Sequence, residues 1–250
     1  MNNIRFTCTA LAGKNKIGNV PVDKDGYRDM VVGGLNMFNS AGQWYDYEGA
    51  KALFESSSTF MRRVARGALR GEVGHPRQTP GQSDDRFINR VLDIDETNVC
   101  VHFKEIYLDF DKLKSTDGKP VIAIMAKLKP SGAKGDFLQK QLDNKDENVC
   151  FSIRSFTKDY YNKGIYTREL KNIVTFDYVN EPGISIANKY QAPALECLSD
   201  KALTKVSISK AVKEARSGLG TESSLMNAND LFSSLGWDIT KSAQPGFSTW

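Results

Sequence analysis

A chain of 250 residues is long enough to bury a core without disulfide or metal staples, and its net charge of +4, from 34 basic against 30 acidic residues, does not indicate a dedicated nucleic-acid surface. The longest apolar runs, residues 31–35 and 121–126, fall far short of the roughly 20 residues a bilayer-spanning helix needs. Residues 1–13 lack a long apolar signal-peptide core, so a soluble intracellular protein is expected. The four cysteines, Cys8, Cys100, Cys150 and Cys197, form no C-x-x-C pair, and His75 and His102 are the only histidines; neither a zinc knuckle, a disulfide scaffold nor a histidine-rich metal centre is signalled.

Residues 4–11 carry β-formers in loose alternation, and residues 27–38 supply a second extended stretch broken by Gly33-Gly34. Tyr47, Ala50 and Phe54 then recur at helical spacing, and Phe60, Val64 and Ala68 resume it after Ser56-Ser57-Ser58. Two short helices are predicted, the second ending near Gly71. Residues 71–85 are rich in glycine and proline and are expected to form a loop, with His75 inside it.

Strands are predicted at residues 87–94, 99–110, 121–128, 149–156 and 173–179. A short amphipathic helix is predicted at 137–142, where Leu138 and Leu142 stand one turn apart. The links after Ile94, Phe110 and Phe156 look like turns rather than helical crossovers, which favours an α+β fold with a β-barrel-like core and surrounding short helices over a parallel α/β sheet. Residues 1–190 are expected to form the main domain. Residues 191–250, with a helix-prone patch at 199–217 and a Ser, Gly and Asn-rich stretch after it, are expected to be a helical or flexible appendage.

His75 lies in Gly71-Glu72-Val73-Gly74-His75-Pro76, where the glycines free the backbone and Pro76 restricts the residue before it. Such a histidine is either an imidazole aimed at chemistry or an ordinary loop side chain. In Val149-Cys150-Phe151-Ser152-Ile153-Arg154-Ser155, strand alternation places Ser152 and Arg154 on one face and Phe151 and Ile153 on the other. A serine is a weak nucleophile without a base, and His75 is the better placed of the two histidines.

Asp177 interrupts the apolar run 173–179, and burying an unpaired carboxylate is costly, so a histidine or arginine partner is expected; a strand-end cap or a structural salt bridge is the other reading. His102 alternates out of the face that carries Val99, Val101 and Phe103 and reads as a strand histidine.

Gly71–Pro76, the block 133–154 that ends in Phe151-Ser152-Ile153-Arg154, and Thr175-Phe176-Asp177-Tyr178-Val179-Asn180-Glu181-Pro182 occur in the order His, Ser, Phe-Asp. Over residues 70–187 this resembles the prohead proteases of tailed phages, of the giant-phage type, which are themselves similar to the herpesvirus assembly proteases. The resemblance implies a protease domain at 1–190 with a herpesvirus-protease-type core, and a serine endopeptidase that cuts scaffold, internal core and major capsid precursors, after glutamate, inside the prohead in the host cytoplasm. Retention in the virion, self-association and self-cleavage, at Glu196 or Glu214, are further implications.

Carried over residue by residue, His75 is the base, Ser152 the nucleophile and Asp177 the third member, with His102 as the alternative. Arg154 or Arg168 is assigned to the oxyanion or to the substrate. Asn89-Arg90 stands where relatives carry a Ser-His pair, and Cys150 and Ile153 also depart from the family pattern. No cofactor, metal or membrane is implied. Two rivals remain: an inactive protease-like structural protein of the prohead core, and a nucleic-acid module built on Tyr160-Tyr161 with Lys158, Lys163 and Arg168.

Overall fold

The structure is a computed structural model that describes residues 4–11, 20–39, 41–111, 121–180, 201–203, 205–214, 217, 230–231 and 233–235. Strand β1 (Ile4–Leu11) is followed by β2 (Arg28–Leu35), β3 (Met37–Phe38) and β4 (Trp44–Tyr45). The interruption expected at Gly33-Gly34 falls later. Both glycines stay inside β2, where the pairing register shifts, and the chain breaks at Asn36, whose φ of 54° lies in the left-handed region.

Helix α1 (Tyr47–Ala50) starts at Asp46, whose carboxylate accepts from the Gly49 amide, and runs into a 3-10 turn over Lys51–Phe54. Helix α2 (Thr59–Ala65) is capped by Ser58, which accepts from the Met61 amide at 3.0 Å. Each cap satisfies an otherwise orphaned first-turn donor, worth about 1 kcal/mol. The second helix therefore stops well short of Gly71: the chain turns at Gly67, φ 69°, and Arg70–Glu72 forms strand β5 at the head of the expected loop.

Residues 87–94, expected to be a strand, lie mostly in helix α3 (Asp84–Leu92). Phe87, Ile88, Val91 and Leu92 are buried at i, i+1, i+4 and i+5, a helical stripe, and Asp84 and Asp85 sit in the first turn where the helix dipole favours negative charge. A short apolar run is ambiguous between the two periods, and the long-range packing of this one decided for helix.

Strands β6 (Val99–Asp109) and β7 (Ile122–Pro130) and helix α4 (Gly135–Asp143) follow the sequence, whereas β8 (Cys150–Asn162) and β9 (Ile165–Val179) run on past the turn expected after Phe156 into one long hairpin, and the patch expected to be helix-prone opens with strand β10 (Lys201–Leu203) before α5 (Lys205–Glu214). This is a mixed α+β architecture. Six strands pair in the order β10-β1-β8-β9-β4-β3, antiparallel except for β4 against β9, and four pair antiparallel as β2-β7-β6-β5.

The main apolar core includes Val32, Ile124, Phe103, Phe151, Ile153 and Phe176, drawn from both sheets. A second cluster joins α3 to α5 through Phe87, Ile88, Val91, Ile208, Ala211 and Val212. Among the described residues no helix is long and apolar enough to cross a membrane.

Candidate active site

Strand β8 runs between β1 and β9, and its alternation divides its side chains between two environments. Phe151 and Ile153 enter the main core opposite Tyr178 and Phe176, whereas Ser152 stands directly opposite Asp177. Opposed residues of an antiparallel pair point to the same face with Cβ atoms about 4.5–5.5 Å apart. The hydroxyl of Ser152, the guanidinium of Arg154 two residues on, and the carboxylate of Asp177 are thus presented together, all on residues that are 2 % exposed or less.

The histidine reaches them because β5 and the residues after it run alongside β9. Val73 bridges Tyr178 in parallel, and the Gly74 amide donates to the Tyr178 carbonyl at 2.7 Å. Close approach depends on Gly71, where a Cβ would lie 2.0 Å from the Phe176 carbonyl oxygen, and on Gly74, whose φ of 74° turns the chain toward His75. His75 Nδ1 then lies 2.8 Å from Asp177 Oδ2 and donates to it, since a carboxylate only accepts. In the neutral imidazole that bond makes Nε2 the acceptor nitrogen. It is buried and has no hydrogen-bond partner among the described residues.

Asp177 is fully buried, and four N–H groups converge on it. Oδ1 accepts from the Glu72 amide at 3.0 Å and from Arg154 Nη2 at 2.7 Å; Oδ2 accepts from His75 and from Arg154 Nε at 2.8 Å. Burial raises the pKa of this carboxyl, but the Arg154 charge and the His75 bond outweigh burial and hold it at about 2.

Beneath it lies a second carboxylate that the sequence did not single out. Glu72, also fully buried, stands 2.9 Å from Arg154 Nη2, pairs with Arg90 from α3, and accepts from the Asp95 amide. Burial opposes the charge of Arg154, yet Asp177 and Glu72 together push its pKa further up. The clue to Glu72 in the sequence was its place between Gly71 and the histidine loop. The clue to Arg90 was only its substitution for an expected histidine.

Arg154 spends all five of its N–H donors. Nε and Nη2 serve the two carboxylates, and Nη1 serves the carbonyls of Asp93 at 2.8 Å and Val91 at 3.4 Å. None is left for an oxyanion or a substrate carboxylate, so the role expected for Arg154 gives way to one beneath Asp177. Arg168 is nine residues back along β9, about 30 Å of strand. It is buried against Tyr45 and Asp159, which removes it from the site and from the exposed aromatics of the β8–β9 hairpin, Tyr160 and Tyr161.

His102 lies elsewhere. Its Nε2 donates to the Gly67 carbonyl and its Nδ1 faces the Tyr27 hydroxyl, both at 3.1 Å, so neither nitrogen is open to Ser152. Burial pulls its pKa down. Among the described residues no group of three or more His, Cys, Asp and Glu side chains is placed to share a metal ion.

The chain is 35% identical over 261 residues to a protein of Pseudomonas phage phiKZ described as a capsid maturation protease, an alignment that covers 98% of this chain and 94% of the relative. The solved bacteriophage T4 capsid assembly protease superposes with a TM-score of 0.49 at 12% identity, covering 72% of this chain and 99% of that one. The Peptidase S80 family profile matches residues 6–231, so the chain belongs to the Peptidase S80 family and is a protease.

Proposed function

We propose that this protease is a serine endopeptidase of phage prohead maturation, with Ser152 as nucleophile, His75 as general base and Asp177 as the residue that orients the base. The observation that carries the reading is the His75–Asp177 bond: it fixes the tautomer whose buried, unpartnered Nε2 can take a proton, on the face that carries the Ser152 hydroxyl. No hydrogen bond joins Nε2 to the serine here, and such bonds commonly tighten only around substrate.

In the first step the Ser152 oxygen bonds to the scissile carbonyl carbon while its proton passes to His75 Nε2. As the tetrahedral intermediate collapses, the carbon–nitrogen bond breaks and the same proton goes to the leaving amine, leaving an acyl-enzyme. Water repeats the sequence and releases the acid. Asp177, held ionised, stabilises the imidazolium that forms between the transfers. Acyl transfer of this kind runs on side chains and backbone donors alone.

The phiKZ relative's description supports capsid and scaffold precursors as substrates and the assembling prohead in the host cell as the place of action. Cleavage after glutamate, a core of herpesvirus-protease type and retention in the virion remain part of the same proposal. So does the division into a catalytic domain, 1–190, and an appendage. The appendage adds β10 to the free side of β1 and lays α5 across α3, where Asn89 donates to Glu214 at 3.0 Å.

The test is Ser152→Ala, assayed on co-expressed capsid precursor: the variant should fold as wild type and leave the precursor uncut. Cutting at the wild-type rate would remove Ser152 from the mechanism, and loss of cutting separates an active protease from a structural homologue.

A further inference from the structure

The two carboxylates, two guanidiniums and one imidazole of the site form a chain through the protein: His75, Asp177, Arg154, Glu72, Arg90. The catalytic proposal uses only the first two of these. The bidentate Arg154 poses a problem for them, because a buried cation on Asp177 withdraws the negative charge that should stabilise a protonated His75. Glu72 answers it. We propose that Glu72 is a positioning residue for catalysis: its buried carboxylate cancels the charge of Arg154, so that Asp177 faces His75 with a net negative charge beneath the imidazole. The proposal rests on the reading of His75, Asp177 and Ser152 as the catalytic set.

The charges of this network come from several elements. Asp177 arrives from β9, Arg154 from β8 and Glu72 from β5, and these three fully buried groups sum to one negative charge. Arg90, from α3, pairs with Glu72 on the solvent side, its side chain 30% exposed. Arg63 from α2 is close enough to feel Arg154, and its own pKa is lowered by burial to about 10. Cys100 on β6 feels both carboxylates; burial, followed by Asp177, pushes its thiol well above the usual range, so it adds no charge. Asp95 turns its backbone amide toward Glu72 and keeps its carboxylate on Thr97. Geometry reinforces charge. Glu72 supplies its backbone amide to Asp177 and its side chain to Arg154, which fixes the carboxylate from two sides.

Changing Glu72 to glutamine takes the three buried charges from minus one to zero, and protonated His75 loses stabilisation. Changing Arg90 to glutamine removes positive charge from the same chain and acts in the opposite sense. A residue that merely held the fold would lower activity in both variants without moving them apart in pH.

The sequence has two histidines, so proton NMR titration of the Ser152→Ala protein yields two histidine curves, the His75 curve assigned by its loss in His75→Ala. In Glu72→Gln the His75 midpoint should move down by about one pH unit, and in Arg90→Gln it should move up, while the His102 midpoint stays. With Ser152 restored, the acid limb of kcat/KM should follow, kcat of Glu72→Gln should fall at least about tenfold with KM within about twofold, and Glu72→Asp should recover part of the loss. If neither Glu72→Gln nor Arg90→Gln displaces the His75 curve, while Ser152→Ala and His75→Ala are inactive, the role given to Glu72 is wrong and the catalytic set stands. Activity in Ser152→Ala or His75→Ala would overturn the catalytic set itself, and the role of Glu72 with it. Should Glu72→Gln fail to fold, the upward displacement in Arg90→Gln decides alone.

Discussion

Replacing Asp177 by asparagine changes the site by one proton-bearing nitrogen, and the structure sets what that costs. The two oxygens of Asp177 receive two N–H groups each: Glu72 N with Arg154 Nη2, and His75 Nδ1 with Arg154 Nε. An asparagine must turn its NH2 toward one pair or the other. Facing His75, it donates to Nδ1, drives the imidazole proton onto Nε2, and leaves no lone pair to take the serine proton. Facing Glu72 and Arg154, it keeps the tautomer but sets donors against donors in a fully buried position. In both orientations Arg154 loses half of its charge compensation, which for a buried pair costs about 3–5 kcal/mol of stability. A wrong tautomer costs about 10⁴ in kcat.

Purified Asp177→Asn should therefore unfold at lower urea, and at a temperature where it remains folded it should hydrolyse a capsid-precursor peptide about 10³–10⁴ times more slowly than wild type. His102→Ala, which gives up bonds to Tyr27 and Gly67 only, should change the rate less than about twofold and cost roughly 1 kcal/mol. An inactive His102→Ala beside a fully active Asp177→Asn would exchange the two assignments.

Gly71→Ala should destabilise by at least about 1–3 kcal/mol, because its Cβ would meet the Phe176 carbonyl at 2.0 Å and Val101 Cγ1 at 2.8 Å. Pushing β5 from β9 also carries Glu72 and His75 away from Asp177, so kcat should fall further than stability; a urea curve with a parallel rate measurement checks both. The Asp177 carboxyl, held at about 2 in the fold against about 4 in an unfolded chain, contributes stability above pH 4 that is lost as pH falls through 2. Asp177 should account for about 2 kcal/mol of the wild-type loss over that window, so a same-sized loss in Asp177→Asn would refute the assignment. Self-cleavage after Glu196, outside the described residues, should yield two masses under denaturing conditions but one species in native gel filtration, since β10 stays paired with β1 and α5 stays packed on α3. A fragment that also forms in Ser152→Ala would disprove it.

Local pattern alone determined a good part of this protein. Alternation along β8 separates Ser152 and Arg154 from Phe151 and Ile153, because the strand period of two is a property of the backbone, and the cost of a lone buried carboxylate demands partners for Asp177. Strand β1 was legible from its β-formers, and helix α4 from Leu138 and Leu142 one helical turn apart. What the sequence left open is whatever depends on two distant segments meeting. Residues 87–94 suit either period until α5 and Phe156 cover one helical face of α3. Arg154 could be a substrate ligand until both carboxylates close on it. Glu72 gains a role only because β5 lies against β9, which brings it to a carboxylate 105 residues away; that approach depends on a missing Cβ at Gly71, on a Tyr178 carbonyl free to bind Gly74, and on burial that no window of neighbouring residues encodes.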